Sequence, residues 1–397
     1  MVRWVSAISD DIDPVRALDA VATDLQNGMQ GDPIDLLLVF ASEHHLFDLG
    51  RVVPRLRDSF GPVPVVIGCS AAATIGSHFE LEERPGIAVM AAHLPGVEMR
   101  CVHVTNADLP ALDGSPAPWR ALFGVDPQLR PDFVVIGDPF SIDVDGLLPG
   151  LDYAYPESTV VGGLASGSSG PGAIGLFGDD GVRRGGAYVL ALWGNVRIDP
   201  IVAQGCRPIG TPARITECEG QILKGLDERK PTQVLHDVFE ALDDADRELA
   251  QNALHLGVVV DEMREELGHG DFLVRNILGM HRESGVIAVG SELRPGQTVQ
   301  FHVRDGRTAA ADLEHLLGAY VNARPDTEPA AVLQFTCLGR GQNLFGALHH
   351  DIARVHEALG PMPVVGFFAN GEIGPVGGST HVHGYTTALG IVRPRSG

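Results

Sequence analysis

Positive charge is scarce in this sequence. Lys and Arg together number 29 against 51 Asp and Glu, a formal net charge of −22. Such a chain repels phosphate backbones, and no basic run offsets the repulsion, which argues against nucleic acid as the main partner. The same sign disfavours anionic membrane surfaces. Long apolar runs are also missing: no stretch approaches the ~20 unbroken apolar residues that a spanning helix needs, so no membrane partner is expected. Residues 1–13 lack a basic segment followed by an apolar one, and no secretory leader is expected. Cysteine is sparse. Cys69, Cys101, Cys206, Cys218 and Cys337 are odd in number, scattered and without CxxC spacing. That pattern argues against a disulfide framework or a zinc ribbon and fits a reducing cytoplasm.

What remains is ample core material: 44% of the 397 residues are hydrophobic, and that length favours two domains. Gly is abundant at 49 residues and clusters after apolar runs, which signals tight turns and close backbone approaches. One pattern recurs three times: a short apolar run, then a second one ending in Gly, at a separation that suits a strand, a crossover helix and a parallel strand. The first copy joins Leu36-Leu37-Leu38-Val39-Phe40 to Pro64-Val65-Val66-Ile67-Gly68. The second joins Phe133-Val134-Val135-Ile136-Gly137 to Thr159-Val160-Val161-Gly162-Gly163. The third joins Ala331-Val332-Leu333-Gln334-Phe335 to Pro363-Val364-Val365-Gly366. Continuous apolar runs of this kind suit strands buried on both faces. Further helices are expected over 15–26, 232–241, 244–253 and 309–322.

Each second strand leads into small residues: Cys69-Ser70-Ala71-Ala72-Ala73-Thr74, Leu164-Ala165-Ser166-Gly167, and Phe367-Phe368-Ala369-Asn370-Gly371-Glu372. One such segment is an ordinary tight turn. Three in matching places point to a shared crevice at the strand ends. Pro95-Gly96 and Pro295-Gly296, each between alternating runs, predict antiparallel hairpins of 87–91 with 99–104 and of 286–289 with 298–303; 187–193 with 198–203 is a third such pair. The long stretches 109–131 and 166–186 are expected to be loops, and the glycine-rich 167–172 a mobile one. The fold class is therefore α/β, or mixed α+β: repeated strand-helix-strand units with mixed parallel and antiparallel sheets in two related halves. A joint is expected near 205–222, where Gly205, Pro208, Gly210 and Pro212 cluster.

The most specific stretch is Gly366-Phe367-Phe368-Ala369-Asn370-Gly371-Glu372-Ile373-Gly374-Pro375, followed by His383-Gly384-Tyr385-Thr386. It closely resembles the terminal motif of the C-terminal domain of the FIST family (F-box and intracellular signal transduction). The segments 270–279, bearing Arg275 and Asn276, 301–305 and 335–341 resemble the same domain, as does His350-Asp351. Val66-Ile67-Gly68-Cys69-Ser70 is similar to the family's N-terminal domain. The resemblance implies a lead-in over 1–30, a FIST N-terminal domain over 31–215 and a FIST C-terminal domain over 216–397. It implies a sensory protein that binds small ligands such as amino acids. No kinase, methyl-acceptor or F-box segment is visible, so a separate signalling protein is the expected output. The sequence departs from the family where Ala72, Ala73 and Thr74 replace a Gly and an acidic residue after Cys69-Ser70, which shifts attention to the C-terminal loop.

A pocket for an amino acid-like ligand needs a cation for carboxylate, an acceptor for ammonium and backbone donors. Arg275, Asn276, Arg340, Asn370, Gly371 and Glu372 supply these types, with Cys69, Ser70 and Cys337 beside the glycine loops. Arg suits planar carboxylate recognition. Arg275 and Glu372 equally suit an internal strand-tying pair, and buried cysteines are ordinarily inert packing. Cys69 lacks the closing Gly of a hydrolase elbow. His350 and Asp351 are neighbours and so are not expected to orient one another as a triad requires. His381 and His383 alternate as two ligands on a strand would, but no third is nameable, and neither metal nor cofactor is expected. The leading reading is a ligand sensor acting through a separate partner. The alternatives are an enzyme using Cys69 or Cys337, and a scaffold acting only through protein contacts.

Overall fold

The computed structural model describes residues 2–168, 170–264 and 266–395, which divide into two compact units. The larger comprises Met1–Val202, Leu313–Val382 and Thr386–Gly397; the smaller comprises Ala203–Asp312 and His383–Tyr385. The expectation for 167–172 includes Ser169, which lies outside the described residues.

The larger unit holds all three copies of the repeated pattern. They are β1 (Leu36–Ser42), α1 (Leu49–Phe60) and β2 (Val65–Ala71); β3 (Asp132–Gly137), α2 (Val144–Ala154) and β4 (Val160–Leu164); and β5 (Ala331–Cys337), α3 (His350–Leu359) and β6 (Val364–Ala369). Each pair of strands is parallel, as the intervening helix requires. Each pair sits at the centre of a six-stranded sheet with the same plan. Two strands flank the first strand: Ile87–His93 then Arg3–Ser9, Ala187–Gly194 then Val97–Val104, and Thr386–Arg393 then Arg197–Gln204. A hairpin borrowed from another repeat flanks the second strand.

The borrowing is cyclic. Thr74–Gly76 with Phe79–Leu81, which follow β2, extend the sheet of β6. Leu176–Gly178 with Gly181–Arg183, which follow β4, extend the sheet of β2. Glu372–Val376 with Ser379–His383, which follow β6, extend the sheet of β4. The three sheets meet over one apolar core that includes Phe40, Ile67, Val134, Val161, Phe335 and Phe367. Phe367 packs against Phe40 and Phe335 with ring centroids 4.9 and 5.6 Å apart. With helices covering the outer faces of two sheets, β1 to β4 are buried along their whole length, as their unbroken apolar runs predict.

The recurrent glycine has a steric cause. Gly68, Gly162 and Gly366 hold one register, opposite Val39, Val135 and Gln334. A Cβ there would come within 1.7, 1.9 and 1.7 Å of those residues' carbonyl oxygens. Beyond these glycines the strands close on one another. The Ser166 N–H donates to the Ser70 carbonyl at 3.4 Å, and the Asn370 N–H to the Leu164 carbonyl at 2.9 Å. By the same pattern a third bond would run from Ala72 to Phe368. The Ser166 hydroxyl takes its place, accepting from the Ala72 N–H at 2.9 Å and donating to the Phe368 carbonyl. The small residues expected to offer amides to a ligand therefore use several of them on each other.

The expected hairpins are corrected. Ile87–His93 and Val97–Val104 lie in different sheets, as do Ala187–Gly194 and Arg197–Gln204. Gly96, at φ 77°, turns the chain from one sheet into the next. Val286–Val289 and Thr298–Arg304 are not neighbours either. Turn chemistry specifies a reversal of direction, and the pairing partner is set by packing. The two expected loops carry structure: a helix at Ala117–Phe123, and the strands Leu176–Gly178 and Gly181–Arg183. The smaller unit is a closed barrel of Cys206–Glu219, Ile222–Leu226, Val286–Val289, Phe272–His281, Leu254–Val259 and Thr298–Arg304, filled by Leu256, Ile287, Phe301 and Val303 among others. The expected joint near 205–222 thus coincides with a 14-residue strand.

Candidate functional site

The borrowed hairpin of the first repeat carries Glu80 into the third. Glu80 Oε1 accepts the Gln334 amide and the Ile352 N–H, each at 3.0 Å, while Oε2 has no partner among the described residues. Burial, and then the charge of Asp351, pushes this carboxyl up to about 8. Glu82 accepts the Gln342 N–H with both oxygens at 3.0 Å.

Beside them, after β5, Arg340 is only 1% exposed. Its Nε and Nη2 grip Asp351 at 2.7 and 3.0 Å, and Nη1 is buried without a partner among the described residues. Burial opposes ionisation of both groups, yet the guanidinium holds Asp351 below the usual carboxylate range. His350 Nδ1 adds a third contact to Asp351 at 2.9 Å, so these two neighbours do engage, contrary to the expectation from their adjacency. The His350 ring stacks on Phe345 with centroids 3.5 Å apart, and the Arg340 guanidinium lies 5.2 Å from the centre of Phe345.

Glu372 is fully buried at the start of its hairpin. Its Oε2 accepts the Thr386 N–H at 3.1 Å and the Thr386 hydroxyl at 2.7 Å, and the Cys337 side chain is a further hydrogen-bond partner of the carboxyl. Burial pushes Glu372 up to about 8, against the Thr386 bonds, the Arg340 charge and a bond from the Cys337 side chain. Cys337 is part-exposed, and its Sγ accepts the Gly339 N–H at 3.5 Å. The cluster thus combines one fixed cation, one fixed anion and two carboxyls that exchange protons near neutral pH. Arg340 Nη1 and Glu80 Oε2 are buried without a partner among the described residues.

Residues 35–229 match the FIST N domain and residues 231–375 the FIST C domain. The chain belongs to the FIST family. FIST domains are associated with signal transduction and small-ligand sensing. The chain is 32% identical over 380 residues to the uncharacterized protein Mb0898c of Mycobacterium bovis, covering 96% of each. It is 32% identical over 384 residues to the uncharacterized protein Rv0628c of Mycobacterium tuberculosis, covering 97% of this chain and 98% of that one. A cyanuric acid hydrolase from A. caulinodans aligns over 100% of both chains with a TM-score of 0.38 and 10% identity.

In this FIST chain, Cys337, Arg340 and Glu372 come together in the larger unit, with Asn370 and Gly371 leading into Glu372. Asn370 is exposed and its N–H is already used; the Gly371 carbonyl accepts the Leu164 N–H at 2.8 Å. Arg275 and Asn276 belong to the smaller unit, on Phe272–His281. Cys69 and Ser70 are fully buried in the larger unit. The Cys69 thiol is sealed in the three-sheet core, where burial raises it well above its ordinary value. The Ser70 hydroxyl accepts the Gly175 N–H at 3.0 Å. Sequence reasoning missed Glu80: nothing local sets it apart from Glu82 and Glu83, and only the borrowed hairpin buries it.

Proposed function

We propose that this FIST protein senses an amino acid-like ligand at the Cys337–Arg340–Glu372 cluster. The reading rests on one observation: the buried guanidinium keeps a nitrogen free beside the buried Glu372 carboxyl. Unmet buried polar groups cost about 1–3 kcal/mol each, which a ligand carboxylate on Arg340 and an ammonium near Glu372 would recover. We read the setting as cytoplasmic, since no disulfide joins the five cysteines and no described helix is long and apolar enough to cross a membrane. Output passes to a separate signalling protein. Calorimetric titration with a panel of amino acids tests the reading. Saturable binding is expected, weakened about tenfold or more by Arg340→Gln or Glu372→Gln. Because an ammonium favours the ionised carboxylate, binding near pH 7 should release protons, seen as heats that vary with buffer ionisation. No binding across the panel by folded protein would defeat the proposal.

A second reading, a thiol enzyme, is favoured by the part-exposed Cys337 bonded to Glu372 and near Arg340. It requires alkylation of native Cys337 by iodoacetamide to be faster than that of Cys101 and Cys218, and to slow in Glu372→Gln.

A further inference from the structure

Three of the sequence segments singled out above, 270–279, 301–305 and 383–386, contribute to one place in the smaller unit that the Arg340 site does not use. On the barrel wall, Asn276 pairs with His255, and His255 with His302, in one cross-strand row. Residues directly opposite in antiparallel strands project to the same side. Leu256, Phe301 and Val303 fill the barrel, so the row and Arg304, two residues from His302, lie on the other face. Tyr385 covers the row: its ring lies 4.1 Å from that of His255, and its hydroxyl donates to Asn276 Oδ1.

Several features here are unexplained by folding. Tyr385 holds φ at 66°, a left-handed conformation that a bulky side chain adopts only under constraint. His255 is 7% exposed, yet neither ring nitrogen has a partner among the described residues. Burial, and then the charge of Arg304, keeps His255 neutral, with its pKa drawn down to about 4. It therefore presents one N–H and one lone pair with no recipient. Arg304 lies 5.7 Å from the centre of the Tyr385 ring, and no carboxylate among the described residues pairs with it.

We propose that this row is a second binding site, separate from the Arg340 cluster, for a small anion of carboxylate or phosphate type. Arg304 supplies the charge, the His255 N–H a directional donor, and Tyr385 with Asn276 the rim. An anion answers both unmet features at once: it gives the guanidinium a counter-charge and the imidazole an acceptor.

The test is calorimetry on the full chain at about pH 7.5 and low salt, with sodium phosphate and sodium succinate in separate titrations. At least one should bind saturably, and which one does distinguishes phosphate from carboxylate. Arg304→Gln and His255→Phe should each weaken that binding by about tenfold or more, while Arg304→Lys retains part of it. A readout needing no folded variant is the set of histidine ring-proton resonances of the wild type: one buried, non-titrating imidazole should shift with bound anion. Absence of saturable binding by both anions overturns the proposal. So does binding that survives Arg304→Gln and His255→Phe, or binding that moves no buried imidazole resonance.

Discussion

Arg340 is gripped on two of its nitrogens by a carboxylate that is itself almost fully buried. Removing one partner strands the other's charge in the interior. Arg340→Ala should therefore cost about 3–5 kcal/mol in urea unfolding, and Asp351→Ala a comparable amount. The double variant Arg340→Met/Asp351→Leu should regain most of that loss while abolishing ligand binding. If the single variants are as stable as the wild type, the pair is solvated and the site is open to water. At this scale the sequence was partly readable. Arg340 stood out as a cation suited to a carboxylate, and Glu372 stood out by its motif. Cys69 stood out equally and sits in the core, because a glycine-rich neighbourhood does not report the direction of a side chain.

The repeated strand pair imposes its own constraint. Gly366→Ala or Gly68→Ala drives a methyl into a backbone carbonyl that neighbouring strands hold fixed, so either should abolish soluble folded protein or cost more than about 3 kcal/mol. Gly50→Ala is the control, since a Cβ there meets nothing within 4 Å. Ser166→Ala tests the closure of the three repeats. It leaves the Ala72 N–H and the Phe368 carbonyl without their shared hydroxyl, at about 1–3 kcal/mol each. A change below about 0.5 kcal/mol in the urea midpoint would mean that the hydroxyl bridges nothing. The strand-helix-strand units could be read directly, because apolar runs, spacing and a terminal glycine are local properties. The hairpins were misread for the complementary reason: Pro-Gly turns a chain without choosing its neighbour.

For the molecule as a whole, the buried carboxyls and imidazoles set a pH profile. Glu80 and Glu372, raised to about 8 by burial, retain protons that the unfolded chain releases from about pH 4.5. The stability they contribute is complete below that value and is lost as pH rises through about 8. His255 and His302, lowered to about 4 by burial, act oppositely: their contribution is present above about pH 6.5 and is lost as pH falls toward 4. The two trends oppose each other on the acid side. From about pH 6.5 to 8 the histidine trend is spent while the carboxyl trend continues, so the unfolding free energy should decline over that window. Glu372→Gln, which mimics the protonated acid, should flatten the decline by roughly one proton's worth of slope. A wild-type profile level over the window would show that both carboxyls ionise freely.

From its residues alone this chain determined its acidic charge, its three strand-helix-strand units and its family, and its motifs supplied the arginine and glutamate of the proposed site. All of these rest on composition, on periodicity or on motifs contiguous in the chain. Tertiary structure decided which sheets the strands join, the cyclic exchange of hairpins, and the burial of Glu80 against Gln334 and Ile352, 254 and 272 residues away. The physical reason is range: a backbone turn or an apolar stripe is specified by near neighbours, whereas burial of a polar group depends on segments that meet only once the core has formed.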